Sequence, residues 1–484
     1  MDVYDIIIVG GGPAGLGLAH YCSSLGNLKI LVIEKEDQIG GCHRVKRVDD
    51  VFTEHGPRIY SSTYVNFIDI LKEMNEDFFT LFTPDKLQTN FITQNVIFAT
   101  MTPRELFVLT MQIIYVMIYS DYGKQCTVES FTKVHNFSQK TIDMFDRLVR
   151  LLDGSNNKKY SLNALLQSIN QQSLYTVYQP SGELDKTVFQ KWKKFLESRN
   201  VDFMLDTSVI NFRQEQDMIT SCEVVNKMQK KHIIHGRQFV IATPPESLLK
   251  ILDNTQTKDA FGDYDVMKKW VEDTDYVEYI SISFHWNKKI DLPIKLGFDT
   301  EWGITFVVLS DFTNFQQQNS KTVISTAITI VDAKSSHNLK TANECKEKQD
   351  VINEVFRQLK EIYPSLDKPT IAIMNPNTYY DNYNKKWDCT DTAFVHNINT
   401  KHIPFKSDKY KNMYNLGTHN GKNKYKFTSL ESAVSNAMCL SIDLYPELAK
   451  RYNNKGSLSL QDILFVILII LLVLYLIYIL SRNH

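Results

Sequence analysis

The sequence predicts an α/β chain that combines a parallel sheet, a second α+β region and one long apolar helix near its C-terminal end. Three observations lead to this prediction. A β-branched strand over residues 5–9 runs into the glycine-rich turn 10–15, and a helical stretch follows. Segments typical of strands recur in residues 276–331, and residues 463–480 are apolar without interruption. A chain of 484 residues is also too long for one simple core, so we expect two interleaved domains.

The glycine-rich turn has a residue suited to each task of a dinucleotide site. Gly10 permits the tight turn out of the strand, Gly12 lets a pyrophosphate approach the backbone, and Gly15 allows close packing of helix and strand. The helix that begins at Pro13 and Ala14 offers free N–H groups and the positive end of its dipole to a phosphate. The turn therefore predicts a Rossmann-like nucleotide-binding fold, with these residues at the ligand.

An acidic residue completes the pattern. Residues 28–33 predict a second parallel strand, and Glu34 follows it at close to the spacing expected for a ribose-binding acid. We therefore expect Glu34 to accept hydrogen bonds from an adenosine ribose. The alternative, a strand-turn-helix without a nucleotide, does not account for strand, helix and acid together.

Two stretches after this acid distinguish FAD from NAD. Residues 38–44 contain a Gly-Gly pair followed by an arginine, and residues 53–60 contain the run Glu-His-Gly-Pro-Arg. Both resemble the flavin-dependent amine oxidase superfamily, which includes monoamine oxidases, protoporphyrinogen oxidases and carotenoid desaturases. The second stretch is most similar to the protoporphyrinogen oxidase branch. The resemblance implies FAD, with contacts from Gly41, Arg44 and the run Gly56, Pro57 and Arg58. For Arg58, a loop ion pair with His55 remains the alternative.

Two later segments extend the resemblance. An apolar strand that ends in Ala-Thr-Pro-Pro is similar to the second FAD segment of the family, which implies main-chain contacts between nearby Val209 and the adenine side. Residues 412–433 are similar to the third segment, in which a strand enters a glycine turn and a capped helix follows. The resemblance places Gly417 at the pyrophosphate, and Leu430 and Glu431 at the helix end that faces the flavin.

The chain departs from the family at several positions. It has no Ser-Gly-Gly-Cys-Tyr stretch for covalent attachment, so we expect non-covalent FAD. The strand predicted over 276–286 carries Glu278 and no lysine, although many amine oxidases place a lysine near the flavin from such a strand. His419 is expected on a loop surface, with a position facing the flavin as the alternative. No catalytic residue is assigned. Aromatic residues that could line a cavity, or lie in the core or on the surface instead, are Trp302, Tyr379, Tyr380, Tyr383 and Trp387.

These patterns predict a discontinuous domain organisation. Helix-forming patterns dominate residues 76–175, which we expect to form a helical insertion. Residues 251–375 are expected to form the substrate domain. The FAD-binding domain is expected to comprise residues 1–75, 176–250 and 376–450.

The C-terminal segment from Ile463 to Leu480 has the minimum length for crossing a bilayer, which predicts a tail anchor. Three basic residues precede the segment, and only Arg482 follows as a basic residue, so the positive-inside rule places the large N-terminal part on the cytosolic side. A buried core helix is the alternative, but the segment is apolar on all sides. Some amine oxidases of the superfamily are similarly held to membranes by a C-terminal helix.

Composition limits the other function classes. The net charge is −1 and no long basic patch occurs, so we expect no nucleic acid partner. The seven cysteines are scattered without a Cys-x-x-Cys pair, which predicts neither a disulfide scaffold nor a metal site. The early apolar run has no basic flank, so no cleavable signal peptide is expected.

These observations predict a membrane-anchored FAD-dependent oxidoreductase that moves a hydride from a C–H bond of a small substrate to the flavin. The substrate is unknown and could be apolar or an amine, and the electron acceptor is unknown, with oxygen one option. Two alternatives remain open. One is a non-redox flavoenzyme similar to UDP-galactopyranose mutase, and the other is an FAD-binding membrane scaffold without catalysis.

Overall fold

The computed structural model describes residues 3–85, 97–253, 257–277, 279–294, 296–297, 300–399, 402–425 and 428–482. Within them, a seven-stranded sheet, here the nucleotide sheet, assembles from three separated stretches of chain. In spatial order its strands are Val201–Met204, Ile30–Ile33, Val3–Val9, Lys231–Ile241, Met218–Asn226 and Thr207–Glu215, while Met413–Asn415 also pairs with Lys231–Ile241. The pairs around Val3–Val9 are parallel, and the hairpins between 207 and 241 are antiparallel.

Both faces of the nucleotide sheet are buried, which explains the unbroken apolar run in its first strand. Side chains alternate along a strand, so Ile6 and Ile8 face one side and Ile7 and Val9 face the other. Ile6 and Ile8 belong to the core cluster that also holds apolar residues of helices Pro13–Ser23 and Leu430–Leu444. Ile7 and Val9 join the second cluster, which includes the buried leucines of helix Pro245–Asp253.

A second sheet, here the substrate sheet, is five-stranded and antiparallel. In spatial order its strands are Leu296–Gly297, Ile304–Val308, Thr322–Ile328, Ile280–Trp286 and Ile371–Met374. The apolar stripe of helix Lys348–Ile362 packs on one face of this sheet. The opposite face carries small polar residues, and there Ser281 Oγ donates to the carbonyl of His55. The substrate sheet therefore lies against the N-terminal segment that contains the predicted cofactor residues.

The strand predicted over 276–286 is divided in the structure. Asp275–Val277 pairs with Ala393–Val395, and Ile280–Trp286 lies at the centre of the substrate sheet. Glu278, on which the comparison with amine oxidases drew, lies outside the described residues.

A helical region follows the first part of the nucleotide sheet. Its helices are Ile97–Thr100, Pro103–Ile118, Val128–Val134, Gln139–Asp153 and Leu162–Gln172. Thr102, Thr127, Ser138 and Ser161 begin four of them, each accepting a backbone N–H with its side-chain oxygen. At Thr102 the cap is a reciprocal capping box with Glu105, and Pro103 occupies the first helical position.

Smaller elements connect these parts. Further α-helices in the described part of the chain are Val65–Glu73, Phe78–Leu81, Gln190–Glu197 and Tyr264–Glu272. The remaining strands are Val45–Val48, Val51–Glu54, Tyr60–Ser61, Phe82–Asp85, Val177–Pro180, Thr378–Asp381 and Lys386–Cys389. The predicted division into domains remains a prediction, because the two sheets and the helical region pack against one another.

The C-terminal helix runs from Leu460 to Arg482. An 18-residue window within Leu460–Ser481 has a mean hydropathy of 3.5, and this window is not buried by the rest of the chain. The beginning of the helix is half-buried and packs against helices Pro103–Ile118 and Leu162–Gln172. There the Gln461 N–H donates to Asn170 Oδ1 at 2.9 Å. By length and composition this helix could cross a membrane.

Candidate cofactor and substrate cavity

A cavity of about 890 Å³ lies between the nucleotide sheet, the substrate sheet and the helical region. Val9, Ile33, Ala242 and Leu416 line it, and each lies at or next to the carboxyl end of a parallel strand. In open α/β sheets, ligands bind in the crevice outside these carboxyl ends. The cavity is therefore where the glycine-rich turn predicts a nucleotide.

The turn itself forms one end of the cavity. Gly10, Gly12, Pro13 and Ala14 line it. Gly10 has φ +113°, and a Cβ there would lie 2.5 Å from the carbonyl oxygen of Ala242. No side chain caps the helix that begins after Gly12, so the first turn of Pro13–Ser23 presents its N-terminus at the cavity.

Gly15 lies behind the cavity wall. A Cβ on Gly15 would lie 2.0 Å from the carbonyl oxygen of Gly10. This contact is the close approach of helix and strand that the sequence predicts for the third glycine. Any influence of Gly15 on a ligand therefore acts through the position of the turn.

Glu34 is buried and lines the same end of the cavity. Its Oε2 accepts from the Gly11 N–H at 2.7 Å, and its Oε1 accepts from the Glu36 N–H at 3.1 Å. Thr207 and Val209 line the cavity beside it, and the Thr207 N–H donates to the Glu34 carbonyl at 3.0 Å. Glu34 and Val209, the residues predicted to contact the ribose and the adenine side, thus line the same end of the cavity.

Gly41 and Arg44 line the cavity next to the turn. A Cβ on Gly12 would lie 3.6 Å from the Gly41 Cα, so two backbone segments approach each other here. Arg44 Nη1 lies 3.4 Å from Glu36 and Nη2 lies 3.6 Å from Asp391, while its buried Nε has no hydrogen-bond partner within the described part of the chain. A buried arginine with an unsatisfied N–H group at a cavity is suited to an anionic ligand.

Pro57 and Arg58 line the cavity farther from the turn. Arg58 Nη2 donates to the Cys42 carbonyl at 2.7 Å and to His55 Nδ1 at 3.0 Å. Burial, with a smaller effect of the Arg58 charge, lowers the pKa of His55 to about 3, so the imidazole is neutral and accepts this bond. The alternative of an ion pair is therefore wrong, because a neutral or a protonated imidazole carries no charge opposite to that of Arg58, and the contact is a hydrogen bond.

Gly56 does not line the cavity. It lies beneath an aromatic ring, since a Cβ there would come within 2.7 Å of Tyr279 Cδ2. Tyr279 itself lines the cavity, so Gly56 provides space for a residue of the cavity wall.

In the third predicted segment, Gly417 and Leu430 line the cavity and Glu431 does not. The Glu431 carboxyl group accepts the backbone N–H groups of Asn66 and Phe67, both at 3.0 Å, and the Asn66 amide at 2.6 Å. It thereby caps helix Val65–Glu73, although burial raises its pKa to about 7. The predicted contact of Glu431 with a cofactor is not supported by this placement.

His419 lines the cavity and is 1% exposed, so the expectation of a loop-surface histidine is wrong. Its Nε2 shares a hydrogen bond with Asn415 Oδ1 at 2.9 Å. Burial lowers the pKa of His419 to about 3, with smaller effects from two neighbouring histidines. A neutral imidazole therefore faces the cavity.

The wall opposite the nucleotide turn is apolar, and we call it the apolar wall. Its members from the helical region are Leu106, Leu109, Ile113, Phe145, Leu148, Leu151, Leu152, Leu165 and Ile169. Phe306 and Val307 continue this wall from the substrate sheet. Sequence reasoning did not single out these residues, although the amphipathic pattern of residues 138–152 carries several of them.

The aromatic residues proposed for the cavity have different positions. Tyr379 lines the cavity, whereas Trp302 and Trp387 are buried in the core of the substrate sheet. Tyr380 is half-buried against that core, and Tyr383 is 92% exposed. Tyr279 and Phe306 are lining aromatics that were missed.

One carboxyl group interrupts the apolar wall. Asp153 ends helix Gln139–Asp153, is 7% exposed and lines the cavity near Tyr160 and Thr428. Burial raises its pKa well above the ordinary value. Within the described parts of residues 97–175 and 257–375, the lining residues include neither lysine nor arginine. The arginine pair that a UDP-galactopyranose mutase would require is therefore not found on this wall.

Comparisons with known sequences agree with the nucleotide site. A model of the NAD(P)-binding Rossmann-like domain matches residues 8–74. Ferredoxin–NADP reductase 1 of Listeria innocua serovar 6a is 38% identical to this chain over 77 residues. That match spans 16% of this chain and 23% of the reductase, so it concerns one part of each protein.

Solved structures match over nearly the whole chain. Putrescine oxidase bound to putrescine has a TM-score of 0.61 at 10% identity and covers 92% of this chain and 99% of its own. A protein assigned as a protoporphyrinogen oxidase from Exiguobacterium sp. 255-15 has a TM-score of 0.60 at 12% identity, covering 92% and 100%. Cyclohexylamine oxidase from Brevibacterium oxydans IH-35A has a TM-score of 0.58 at 12% identity, with the same coverage. The chain therefore has a Rossmann-like nucleotide-binding region within a fold that it shares with putrescine oxidase and cyclohexylamine oxidase.

Proposed function

We propose that this protein is an FAD-dependent oxidoreductase of the amine oxidase type. The observation that carries the proposal is the single cavity that joins the glycine-rich turn to the apolar wall. One end offers a helix N-terminus, a buried acid and an arginine, which suit a nucleotide. The other end offers apolar surface with one carboxyl group, which suits a small organic substrate.

The residues present fit FAD without a covalent bond. The backbone segments at Gly12 and Gly41 leave space that a Cβ would narrow, and Arg44 has an N–H group available beside them. The lining cysteines are Cys42 and Cys389, and neither lies in the covalent-attachment stretch of the family. Burial raises the pKa of Cys389 to about 11, so this thiol stays protonated and weakly nucleophilic.

FAD, when bound, supplies the redox chemistry by accepting a hydride from a substrate C–H bond. The apolar wall holds the substrate and excludes water from the cavity. Arg58 places a positive charge on the cavity wall, where it would stabilise the negative charge that accompanies reduction. Asp153 offers a hydrogen-bonding group to a polar substituent of the substrate.

The same wall supports a proposal for the substrate class. Its apolar surface suits a mainly hydrocarbon substrate, and Asp153 suits an amine or hydroxyl group on that substrate. Putrescine oxidase and cyclohexylamine oxidase, which share the fold, act on amines by name. We therefore favour an amine with an apolar body, with a porphyrinogen or polyene as the second choice and oxygen as the electron acceptor.

We also propose that helix Leu460–Arg482 anchors the protein in a membrane. Its exposed apolar stretch and mean hydropathy of 3.5 support this role. Lys450, Arg451 and Lys455 precede the helix, so the positive-inside rule favours a cytosolic position for the cavity.

Anaerobic reduction of the bound flavin tests this function. The full chain, purified in detergent, is mixed with apolar amines, porphyrinogens and polyenes, and the visible flavin absorbance is followed. We expect one class to bleach the absorbance and, after air is admitted, to yield hydrogen peroxide. Bound flavin that no substrate reduces would favour the scaffold, and tight binding of a UDP-sugar would favour the mutase.

Asp153→Ala tests the polar contact within this proposal. Asparagine would keep both a donor and an acceptor at this position, whereas alanine removes the hydrogen bond, so a loss of about 1.4 kcal/mol raises KM for the reactive amine about tenfold while flavin absorbance is unchanged. The control is Asp143→Ala, on the exposed side of the same helix. Equal KM values for D153A and the unsubstituted protein would remove Asp153 from substrate binding.

A further inference from the structure

The segment 388–394 lies along the nucleotide end of the cavity, and each of its residues lines the cavity wall. Strands Lys386–Cys389 and Ala393–Val395 hold its two ends, because each pairs with another strand. Between them, Lys35 Nζ donates to the Thr390 carbonyl at 3.3 Å. The middle of the segment is therefore held next to the residues that are predicted to bind the cofactor.

Asp391 brings a buried carboxyl group to this place, since it is 5% exposed. Its Oδ1 lies 3.6 Å from Arg44 Nη2, and its Oδ2 accepts a hydrogen bond from Asn377 Nδ2 at 2.7 Å. In the part of the chain that the structure describes, Arg44 is the only basic side chain that pairs with this carboxyl group. Asp391 is therefore a buried counter-ion of the arginine that is predicted to hold the cofactor.

Arg44 has a second acidic neighbour, but this neighbour has another cation. Glu36 lies 3.4 Å from Arg44 Nη1 and also pairs with Lys46 at 2.9 Å. Burial disfavours the charge of Arg44, yet the surrounding carboxyl groups, Glu34 among them, outweigh this effect and raise its pKa. The guanidinium is thus charged and already attracted to carboxyl groups of the protein itself.

A pyrophosphate at the close approach of Gly12 and Gly41 would compete with Asp391 for this guanidinium. Arg44 Nε has no hydrogen-bond partner in the described residues, so it is available to a phosphate oxygen. The carboxyl group of Asp391 stays beside Nη2 of the same guanidinium and, as a like charge, repels the phosphate. Because the site is buried, salt screens this repulsion little.

We propose that Asp391 competes with the pyrophosphate of FAD for Arg44 and thereby limits the affinity of the protein for its cofactor. This inference rests on the proposed function, because it takes FAD as the ligand. A site that contains its own counter-ion binds the cofactor less tightly and releases it more readily. Removal of the Asp391 charge should therefore strengthen binding, whereas damage to the fold would weaken it.

Titration of the flavin-free full chain with FAD in detergent tests the proposal, with quenching of flavin fluorescence as the measure of Kd. Asp391→Asn removes the charge and keeps an oxygen that accepts from Asn377. We expect a Kd for FAD about tenfold lower than that of the unsubstituted protein, which corresponds to about 1.4 kcal/mol. The control is Asp259→Asn, at an exposed position outside the cavity lining, and its Kd should not change.

Two further measurements locate the effect. ADP, which contains the pyrophosphate, and adenosine, which lacks it, are used as competitors of FAD binding. D391N should gain affinity for ADP about as much as for FAD and gain none for adenosine. In an Arg44→Met background D391N should bring a smaller gain, because no guanidinium is left to compete for. An equal gain with and without Arg44, or a gain for adenosine, would overturn the proposed competition.

Asp391→Ala is a second variant that removes the charge and also the contact with Asn377, and it too should lower the Kd for FAD. If the unsubstituted protein binds FAD and neither D391N nor D391A binds it more tightly, the competition is refuted while the proposed function stands. If the unsubstituted protein takes up no FAD, the proposed function fails and the inference fails with it.

Discussion

At the scale of single residues, the nucleotide end of the cavity depends on backbone approaches that leave no room for a side chain. Gly10 has φ +113°, and a Cβ added there would lie 2.5 Å from the carbonyl oxygen of Ala242. Gly26 also has a positive φ, of +78°, but its Cβ would meet nothing within 4 Å. A side chain at either position would therefore strain the backbone, but only at Gly10 would its Cβ also collide with another part of the chain.

We expect Gly10→Ala to abolish flavin binding, because the turn must move away from Ala242 and carry the helix N-terminus with it. Gly26→Ala should keep the flavin and lose about 1 kcal/mol of stability from its left-handed backbone alone. Flavin absorbance per protein and denaturant unfolding measure the two effects. A yellow G10A protein with ordinary affinity for FAD would contradict this account.

Arg58 and Arg44 differ in their expected influence on the cofactor. Arg58→Met removes a charge from the wall near the substrate, so the reduction potential of the bound flavin should fall. A loss of about 1.4 kcal/mol corresponds to about 30 mV for a two-electron couple. Arg44→Met should instead weaken FAD binding and leave the potential nearly unchanged. Dye-equilibrated potentiometry and FAD titration would separate the two, and an unchanged potential in R58M would exclude Arg58 from charge stabilisation.

At the scale of secondary-structure elements, one buried carboxyl group links two sheets. Glu54 ends strand Val51–Glu54 and accepts from Ser325 Oγ, on strand Thr322–Ile328, at 2.6 Å. Burial raises the pKa of Glu54 from 4.5 to about 7, so the folded protein retains this proton where the unfolded chain has lost it. The contribution of this proton to the stability of the folded state is complete below pH 4.5 and is lost as the pH rises through 7.

We expect Glu54→Gln to flatten the fall in unfolding free energy across this range, by about 3 kcal/mol if the whole shift is effective. Glutamine keeps an acceptor for Ser325 and has no proton to lose. Urea unfolding of the full chain in detergent at pH 5, 6, 7 and 8 measures the slope. Glu197→Gln, at an exposed position, is the control. If the unfolding free energy of E54Q falls with pH as steeply as that of E197Q, Glu54 does not titrate in this pH range.

Local sequence patterns predict the helices and strands better than they predict which residues these elements contact. The helix-forming patterns of residues 97–175 correspond to helices in the structure, and the caps at Thr102, Ser138 and Ser161 mark where three of them begin, because a cap is a contact within a few residues. Most of the predicted cofactor residues also line the cavity, since the turn and the strand ends are local patterns. The resemblance places Glu431 at the cofactor, whereas its hydrogen-bond partners in the structure, Asn66 and Phe67, lie far away in sequence. No local pattern records such a pairing.

The apolar wall shows the same limit. Phe306 and Leu148 lie in a strand and a helix that the sequence predicts, yet which face of each element meets the cavity depends on how the substrate sheet and the helical region pack. The division of the predicted strand 276–286 also has a tertiary cause, because its first residues pair with Ala393–Val395. The alternation of apolar and polar residues that predicts a strand continues from 276 to 286, so it does not show where the two strands separate.

At the scale of the whole molecule, the membrane helix should determine where the protein is found. Leu471→Arg together with Leu474→Arg places two charges in the middle of the helix, at a cost of about 2.5–3.5 kcal/mol each. We expect this variant to lose flotation with liposomes and to keep its flavin. The control, L471I with L474I, should float as the unsubstituted protein does. Undiminished flotation of the arginine variant would contradict a spanning helix.

The proposed chemistry requires three separated stretches of chain to converge on one flavin nucleotide. The visible absorption spectrum of the purified full chain, recorded before and after acid precipitation, tests this convergence. We expect a flavin spectrum that remains in the supernatant when the protein precipitates, as non-covalent FAD requires. A folded protein that is colourless and takes up no added FAD would overturn the proposed function.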